Sequence, residues 1–455
     1  MKFRRLIAWL SRRSYKLGLL LETRSEEKWP LSPHTDATSV YLQVEAECNL
    51  DIDSHAQYWW STSGHALAVL LDRAGYTTAG QYESLKFFRA ITPILGPAFV
   101  RGEMCWKSFM TDDHNPVELS WDWRLAGQSP KVRFSIEPIG REAGTHLDSL
   151  NESASSELQK IMVQMLPQAR LEVLSYFQQQ LRVYKRELLD YDHLTQEFYA
   201  FDLDEGGIMG KAYFFPQNQA RATGKDSFDV ILNVLKVAPL SAPDDIHALR
   251  VFQEYVDDVA SPALEMDMLA IDLVEPEKSR FKIYFRIRDT RFSSIQETMT
   301  LRGRITTPGI TEGLKHLRIL YHALQENDDC HNTPDTAIHM NDHHRTAGIL
   351  YYVEFRYGAK QPKVKAYLPV RHFAQSEEAI IAAIHKQLGR YGDEDWVSNS
   401  MANYTDAVRT LCSSEIPKTR IGLHTYIGCS IEKDSKLRMI SYLNPSAMGR
   451  RKGRE

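Results

Sequence analysis

Hydrophobic and polar residues alternate strictly in the segment RFKIYFRIR, which runs from Arg280 to Arg288. One set of alternate positions carries phenylalanine and isoleucine, and the other carries arginine, lysine and tyrosine. A period of two is typical of a β-strand whose two faces meet different surroundings. The polar face has four cations and a tyrosine but no carboxylate, so its charge needs a partner from elsewhere.

Segments of this kind come in pairs, and helical patterns separate one pair from the next. The pair QEFYAFDL and MGKAYFFP, for example, is joined by the turn residues DEGG. Five such pairs predict ten antiparallel strands in repeated helix-helix-strand-strand units. A doubly wound parallel sheet, in which single strands alternate with helices, is not favoured. The pattern therefore predicts an α+β fold, and about ten strands in five pairs would suit one closed barrel wrapped by helices.

A lysine stands two residues before a tyrosine in three of the predicted strands. These pairs are Lys211 and Tyr213, Lys282 and Tyr284, and Lys365 and Tyr367. A polar sheet face exposed to water would explain any single strand. If helices cover a closed barrel, however, the apolar faces point outward and the lysines and tyrosines point into the lumen. Buried cations without carboxylates would then require an anionic ligand, because unpaired buried charge is costly.

A lumen of cations and tyrosines is suited to a prenyl diphosphate. Lysine and arginine hold diphosphate oxygens through charge-assisted hydrogen bonds. Tyrosine rings stabilise a positive charge by about 0.5–2 kcal/mol each, and they exclude water from a reactive cation. The combination indicates the ionisation of an allylic diphosphate, with the diphosphate held by cations and the allyl cation shielded by tyrosines.

The sequence resembles the fungal aromatic prenyltransferases of the dimethylallyltryptophan synthase type. The resemblance extends from about Tyr58 to Leu443 and includes YWWSTSGHALAVLLDRAGY, VELSWDW, VRFSIEPIG, GKAYFFP, KAYLPVR and HTYIG. It implies the ABBA fold, an antiparallel barrel of ten strands that encloses a solvent-filled lumen and is ringed by helices. It also implies a metal-independent enzyme that transfers a dimethylallyl or longer prenyl group to an indole-containing secondary metabolite.

The resemblance further implies roles for individual residues of the predicted strands. Glu118 matches a glutamate that contacts the indole N–H and assists proton loss, although by itself it could equally be an exposed carboxylate at a strand end. The diphosphate-binding cations of the family match Arg133, Lys211, Arg280, Lys282 and Lys365. The tyrosines that shield the allyl cation and bind the prenyl chain match Tyr213, Tyr284, Tyr367 and Tyr426.

Two positions depart from the pattern of the tryptophan-prenylating members. Phe198 stands near the place where some of them carry a lysine, and Asp267 stands where an arginine would receive an amino-acid carboxylate. We therefore expect a larger indole, such as a cyclic dipeptide or an indole terpenoid. Tryptophan and a tyrosine-like phenol are the alternatives.

Motifs for metals and cofactors are weak. The acidic pairs, such as the one at 112–113, never extend to the DDxxD spacing that holds Mg²⁺ on a diphosphate. Cys330 precedes four histidines in what looks like a surface loop rather than a zinc site: His331, His339, His343 and His344. We expect no cofactor and no metal, with dimethylallyl diphosphate as co-substrate. A non-catalytic barrel for an anionic aromatic ligand or single-stranded nucleic acid is the other alternative, which Glu118 disfavours because a carboxylate repels a polyanion.

Composition limits the location and the partners. The chain has 455 residues, a net charge of −4 and five cysteines without a CxxC pair, which is typical of a protein from a reducing compartment such as the cytoplasm. No apolar run has the length of a bilayer span. The expected partners are the aromatic acceptor and the prenyl diphosphate, without nucleic acid or stable membrane insertion. A homodimer is left open.

The domain organisation follows from the same patterns. Residues 46–445 are assigned to a single barrel domain, because no linker rich in proline or glycine interrupts them. Residues 1–45 are predicted to be an N-terminal extension, which is basic at its start and could be a targeting or membrane-surface helix. Residues 446–455 are predicted to be a basic, disordered tail.

Overall fold

The structure is a computed structural model in which most of the chain is described. The described residues are 37–48, 53–98, 104–124, 128–188, 193–238, 247–275, 278–326, 334–341, 343–356, 358–412, 416 and 422–445. Most of the predicted N-terminal extension and the whole predicted tail lie outside these residues.

Ten described strands form one closed barrel in which neighbouring strands are antiparallel. The strands are β1 Val117–Asp122, β2 Lys131–Ile136, β3 Glu197–Asp204, β4 Gly207–Phe214, β5 Glu265–Asp272, β6 Phe281–Ile287, β7 Ile349–Phe355, β8 Lys363–Leu368, β9 His424–Ile431 and β10 Leu437–Leu443. Strands that follow one another in sequence lie side by side, and β1 closes the barrel against β10. The predicted ten-stranded antiparallel barrel is confirmed.

Helices surround this barrel. They are α1 Ser39–Glu47, α2 Ser54–Trp59, α3 His65–Arg73, α4 Thr78–Ile91, α5 Glu152–Met165, α6 Leu171–Leu181, α7 Pro216–Thr223, α8 Ser227–Lys236, α9 His247–Val256, α10 Phe292–Met299, α11 Ile310–Ala323, α12 Val370–Phe373, α13 Glu377–Leu388 and α14 Glu394–Leu411. A π-helical turn, Trp60–Gly64, joins α2 to α3, and short 3₁₀ turns occur at Thr92–Ile94 and Arg186–Leu188. In the part of the chain that the structure describes, no helix combines the length and apolarity needed to cross a bilayer.

The apolar faces of the strands pack outward against the helices. In β6, the ring of Phe281 lies 6.4 Å from that of Phe177 in α6, and Phe285 lies 5.4 Å from Phe252 in α9. Burial of a phenylalanine side chain contributes roughly 1.5–3 kcal/mol to stability. Because side chains alternate along a strand, the polar residues of β6 must point into the lumen.

Helix α1 belongs to the folded domain. Its N-cap residue Thr38 accepts a hydrogen bond from the backbone N–H of Tyr41, as serine and threonine do at helix starts. The Tyr41 ring stacks on Trp60 with 4.5 Å between ring centres, and Val44 is fully buried. The domain therefore starts before residue 46, where the sequence patterns had placed its boundary.

Candidate active site

One end of the lumen holds a layer of alternating cations and carboxylates, which we call the charged layer. Arg133 Nη2 lies 2.6 Å from Asp122 Oδ2, and its Nε lies 2.9 Å from Asp202 Oδ1. Lys211 Nζ lies 2.5 Å from the same oxygen of Asp202. Burial alone would raise the pKa of Asp202, but Arg133 and Lys211 hold it well below its usual value. Burial lowers the pKa of Lys211 to about 8, although Asp202 opposes this.

The charged layer continues onto β5, β6 and β7. Arg280 and Lys282 share Asp272, with 3.1 Å between Lys282 Nζ and Asp272 Oδ1. Arg280 Nη1 also lies 3.5 Å from Glu354 Oε2. On β10, Arg438 is hydrogen-bonded to Asp122, which it shares with Arg133.

The expectation that the lumen cations lack carboxylates is therefore wrong. Each carboxylate comes from a strand other than the one that supplies its cation, so inspection of one strand at a time could not reveal the pairing. The alternation itself could have found the carboxylates, because Asp122 shares the inward face of β1 with Glu118, and Asp202 and Asp272 lie on the inward faces of β3 and β5.

Lys365 is the exception in the charged layer. It is 3% exposed, its Nζ donates a hydrogen bond of 3.0 Å to Tyr442 Oη, and it lies 4.6 Å from the centre of the Tyr367 ring. Within the described residues it forms no ion pair, and burial lowers its pKa well below the usual value. Room for this side chain depends on Gly428, since a Cβ there would lie 2.5 Å from Lys365 Cε.

A collar of aromatic rings lies next to the charged layer. We use the name tyrosine collar for Tyr213, Tyr284, Tyr352, Tyr367, Tyr426 and Tyr442. The ring centre of Tyr284 lies 5.9 Å from that of Tyr213, 5.3 Å from that of Tyr352 and 6.0 Å from that of Tyr367. Tyr367 in turn lies 6.2 Å from Tyr426 and 5.4 Å from Tyr442. Tyr352 and Tyr442 were not predicted, although both stand on inward faces of predicted strands.

The collar separates the charged layer from a cavity. Along β6, Lys282, Tyr284 and Arg286 are successive inward residues, so each step is about 7 Å along the strand. The cavity encloses about 710 Å³ of space between atoms, including its open mouth. Its lining includes Glu118, Phe109, Phe198, Met268, Asp267, Arg286, Arg345, Arg371 and every tyrosine of the collar except Tyr352.

Glu118 is a carboxylate in the lining of this cavity, and its pKa is raised. Burial raises the pKa of Glu118 to about 7, against a hydrogen bond from Thr425 and the positive charge of Arg371. Thr425 Oγ1 donates that bond to Glu118 Oε1 at 2.8 Å. A carboxyl group with such a pKa can accept a proton near neutral pH, as a general base does.

A β-bulge places Thr425 beside Glu118. Tyr426 pairs with Tyr442, but the register then shifts and His424 pairs with Leu443. Thr425 and Tyr426 consequently both reach the lumen, while His424 packs among the helices and bonds to Glu377 and, at 2.6 Å, to Tyr404 Oη. Strict alternation along the segment HTYIG would place His424 on the same face as Tyr426, and the bulge prevents this.

The structure thus brings the predicted site residues together in the lumen, with the cations and the tyrosines in adjacent layers and Glu118 beyond them. Of the predicted histidine loop, His344 lies near the cavity, with its Nδ1 2.9 Å from Oγ1 of the cavity-lining Thr346. Cys330 and His331 lie outside the described residues, and no group of three His, Cys, Asp or Glu side chains in the described part of the chain is placed to hold a metal ion.

Comparison with known proteins now identifies the family. The family model described as tryptophan dimethylallyltransferase matches residues 55–404. The chain belongs to this family. The resemblance inferred from the sequence motifs is thereby confirmed.

The relatives of this chain are aromatic prenyltransferases. It is 33% identical over 414 residues to a 4-O-dimethylallyl-L-tyrosine synthase of Claviceps purpurea, covering 88% of this chain and 90% of the relative. It is 30% identical to the 7-dimethylallyltryptophan synthase of Aspergillus fumigatus, covering 86% and 85%. The crystal structure of AnaPT from Neosartorya fischeri superimposes with a TM-score of 0.75 and 26% identity, covering 91% of this chain and 100% of that chain. The protein is therefore a prenyltransferase that acts on aromatic compounds.

Proposed function

We propose that this prenyltransferase ionises dimethylallyl diphosphate in the charged layer and transfers the dimethylallyl group to an indole in the cavity. The observation that carries the proposal is the tyrosine collar, which lies between a layer rich in cations and a cavity that contains a carboxylate with a pKa near 7. Three tasks of the reaction thus have three adjoining places: leaving-group stabilisation, shielding of the cation and proton removal.

The diphosphate would be held by Arg133, Lys211, Arg280, Lys282 and Lys365. The first four already form ion pairs with carboxylates. Their N–H groups are therefore oriented before the prenyl diphosphate binds. Lys365 forms no ion pair with the described residues, although the charge of Asp122 acts on it, so a diphosphate oxygen would add the negative charge that favours its protonated form. These protein cations take the place of a divalent metal, which makes the proposed reaction metal-independent.

The transfer would proceed through a dimethylallyl cation. The bond between the allylic carbon and the diphosphate oxygen breaks, and its electron pair leaves with the diphosphate. The aromatic acceptor supplies an electron pair for the new bond to the allylic carbon. Tyr284 and its neighbours stabilise the cation and keep water from it. The cationic ring then loses its proton to Glu118, which restores aromaticity.

A phenolic acceptor is the second candidate. The relative named for tyrosine O-prenylation favours it, and Glu118 could accept a phenolic proton as readily as an indole proton. In both cases the carboxylate must lie on the acceptor side of the collar, and the presence of Glu118 in the lining of the cavity supports this.

The test is turnover in the presence of EDTA. The protein is mixed with dimethylallyl diphosphate and indole or phenol acceptors, and diphosphate release and product mass are followed. We expect product without added metal. Glu118→Gln should lose most product formation but still bind the donor, because the charged layer is unchanged. Near-normal turnover by that variant would show that Glu118 is not the base.

A further inference from the structure

We propose that Glu377, which is buried outside the lumen at the start of α13, positions the base of the reaction. Its carboxylate holds the first residues of β9 and thereby keeps Thr425 on Glu118. This inference rests on the proposed role of Glu118 as the base, and it adds a positioning residue that acts from behind the barrel wall.

The carboxylate of Glu377 is fully buried and is bonded through both oxygens. Its Oε1 accepts hydrogen bonds from the backbone N–H groups of Gly422, Leu423 and His424, at 2.8, 2.8 and 3.3 Å. Its Oε2 is hydrogen-bonded to Nδ1 of His424. Burial would raise the pKa of Glu377, but His424 and the backbone N–H groups hold it below its usual value. Glu377 is therefore a carboxylate that anchors three consecutive backbone positions.

The imidazole of His424 is held from its other side as well. Its Nε2 lies 2.6 Å from the hydroxyl oxygen of Tyr404 in α14, and both side chains are fully buried. Ser376 is the N-cap of α13 and accepts a hydrogen bond from the backbone N–H of Ala379, which fixes the start of the helix that carries Glu377. Two helices thus keep the imidazole outside the lumen.

The fixed direction of His424 has a consequence for the two residues that follow it. Strict alternation would turn His424 and Tyr426 to one face of β9 and Thr425 to the other. Because His424 is held among the helices while Tyr426 pairs with Tyr442, the extra residue is taken up by the bulge between them. Thr425 then reaches the lumen, where its Oγ1 lies 2.8 Å from Glu118 Oε1. An anchor outside the barrel thus sets a hydrogen bond inside it.

Three other groups interact electrostatically with Glu118: Arg371 of α12, Asp112 of the segment before β1 and Tyr442 of β10. Outside the lumen, the charge of Glu377 acts on Tyr404 and Cys412. A direct effect of the Glu377 charge on Glu118 would differ from positioning in its sign. Removal of a negative charge lowers the pKa of a nearby carboxyl group, whereas loss of the Thr425 hydrogen bond raises it.

Two substitutions separate the reach of Glu377 from its charge. Glu377→Asp keeps the charge but is one methylene shorter, which draws its oxygens back from His424 and the backbone N–H groups. Glu377→Gln keeps the length, and its amide can accept from the backbone through oxygen and donate to Nδ1 of His424 through nitrogen. Positioning therefore predicts an effect of the aspartate variant and little effect of the glutamine variant.

The experiment measures kcat/KM for the acceptor from about pH 5 to 9.5 at saturating dimethylallyl diphosphate. Protonation of Glu118 is followed in parallel by the infrared absorption of its carboxyl group, which is assigned by its loss in Glu118→Gln. Glu197→Asp is the matched control, because it shortens another buried carboxylate outside the lumen, which accepts hydrogen bonds from Gln178 and Arg182. Melting temperatures and binding of dimethylallyl S-thiolodiphosphate show that each variant is folded.

Glu377→Asp should move the acid limb of the rate and the titration of Glu118 to higher pH by about 1–2 units, the change expected for loss of a hydrogen bond to a carboxylate. Glu377→Gln should keep the wild-type limb. Glu197→Asp should lower the melting temperature without moving the limb. In a Thr425→Val background, Glu377→Asp should add no further shift, because the hydrogen bond is already absent.

An equal loss of rate at every pH, an unmoved limb in Glu377→Asp, the same shift in Glu377→Gln, or a shift that adds to that of Thr425→Val would overturn the proposed role of Glu377. If Glu377→Asp does not fold, Tyr404→Phe decides instead. It removes the second partner of His424 but keeps the ring, so the same upward shift is expected and its absence would overturn the role. Failure of the proposed function has a different appearance, namely that the infrared titration of Glu118 moves in Glu377→Asp while the acid limb of the rate does not.

Discussion

Thr425 gives the sharpest test of how the fold sets the chemistry of Glu118. Its hydroxyl donates a hydrogen bond of 2.8 Å to Glu118 Oε1, and we predict that Thr425→Val raises the pKa of Glu118. A hydrogen bond to a charged group contributes about 1.5–3 kcal/mol, and 1.36 kcal/mol corresponds to a pKa change of about 1. The pKa of Glu118 should therefore rise from about 7 to about 8–9 in this variant.

The consequence is a change in the pH profile rather than a uniform loss. In the proposed reaction Glu118 is the base and acts as the carboxylate, so activity would be present above its pKa and lost as the pH falls through it. At pH 7 the charged fraction would fall from about one half to about 1–10%, a loss of about 5- to 50-fold that disappears at high pH. Arg371, Asp112 and Tyr442 also act on Glu118 and are unchanged by the substitution.

The assay measures kcat/KM for the acceptor between about pH 5 and 9.5 at saturating donor, so that the acid limb reports the base of the enzyme. Thr425→Ser is the matched control, because it keeps the hydroxyl and should keep the wild-type limb. If Thr425→Val lowers the rate equally at every pH, or if the serine variant behaves like the valine variant, the proposed coupling is refuted and Thr425 has only a structural role.

Three further predictions concern the charged layer and the collar. Tyr284→Leu should lower the ratio of prenylated product to dimethylallyl alcohol, because it removes a ring that stabilises the cation by about 0.5–2 kcal/mol and excludes water. Product analysis measures this ratio, and an unchanged ratio would mean that the ring is not near the cation. Binding of dimethylallyl S-thiolodiphosphate should weaken as the pH rises above about 8, where Lys211 loses its proton. Calorimetry measures the affinity at each pH, and an affinity that does not change with pH would mean that Lys211 does not contact the diphosphate. Gly428→Ala should displace the Lys365 ammonium, whose Nζ would lie 2.7 Å from the new Cβ, and lower donor affinity with little change in melting temperature. If Gly428→Ala instead unfolds the protein, that last prediction is wrong, because only the mobile end of the Lys365 side chain should be displaced.

The strands and their pairing could be predicted from the sequence because alternation is a local property. β6 shows this well, since four apolar and three polar positions within Phe281–Ile287 define both of its faces. Helices α7, α8 and α10 were not predicted, although α8 contains an apolar stripe of its own. The resemblance supplied the closure of the barrel, which no single segment specifies.

The contacts between strands were the part that could not be predicted. Whether Asp202 neutralises Arg133 or Lys211 depends on which strands are neighbours and in what register. Likewise, Thr425 reaches Glu118 because one residue is inserted in β9, and an inserted residue reverses the alternation after it. Arg345 and Arg371 lie outside the strands altogether, so their place in the cavity is a property of the folded chain alone.

The position of the tyrosine collar has a consequence for how such an enzyme can diverge. In the proposed reaction, residues on one side of the collar hold the diphosphate donor, and residues on the other side meet the aromatic acceptor. Replacement of Phe198, Asp267 or Arg345 can therefore alter which molecule is prenylated without disturbing the chemistry of bond cleavage. With this partition, a few substitutions around the cavity would change the aromatic substrate and leave the charged layer intact.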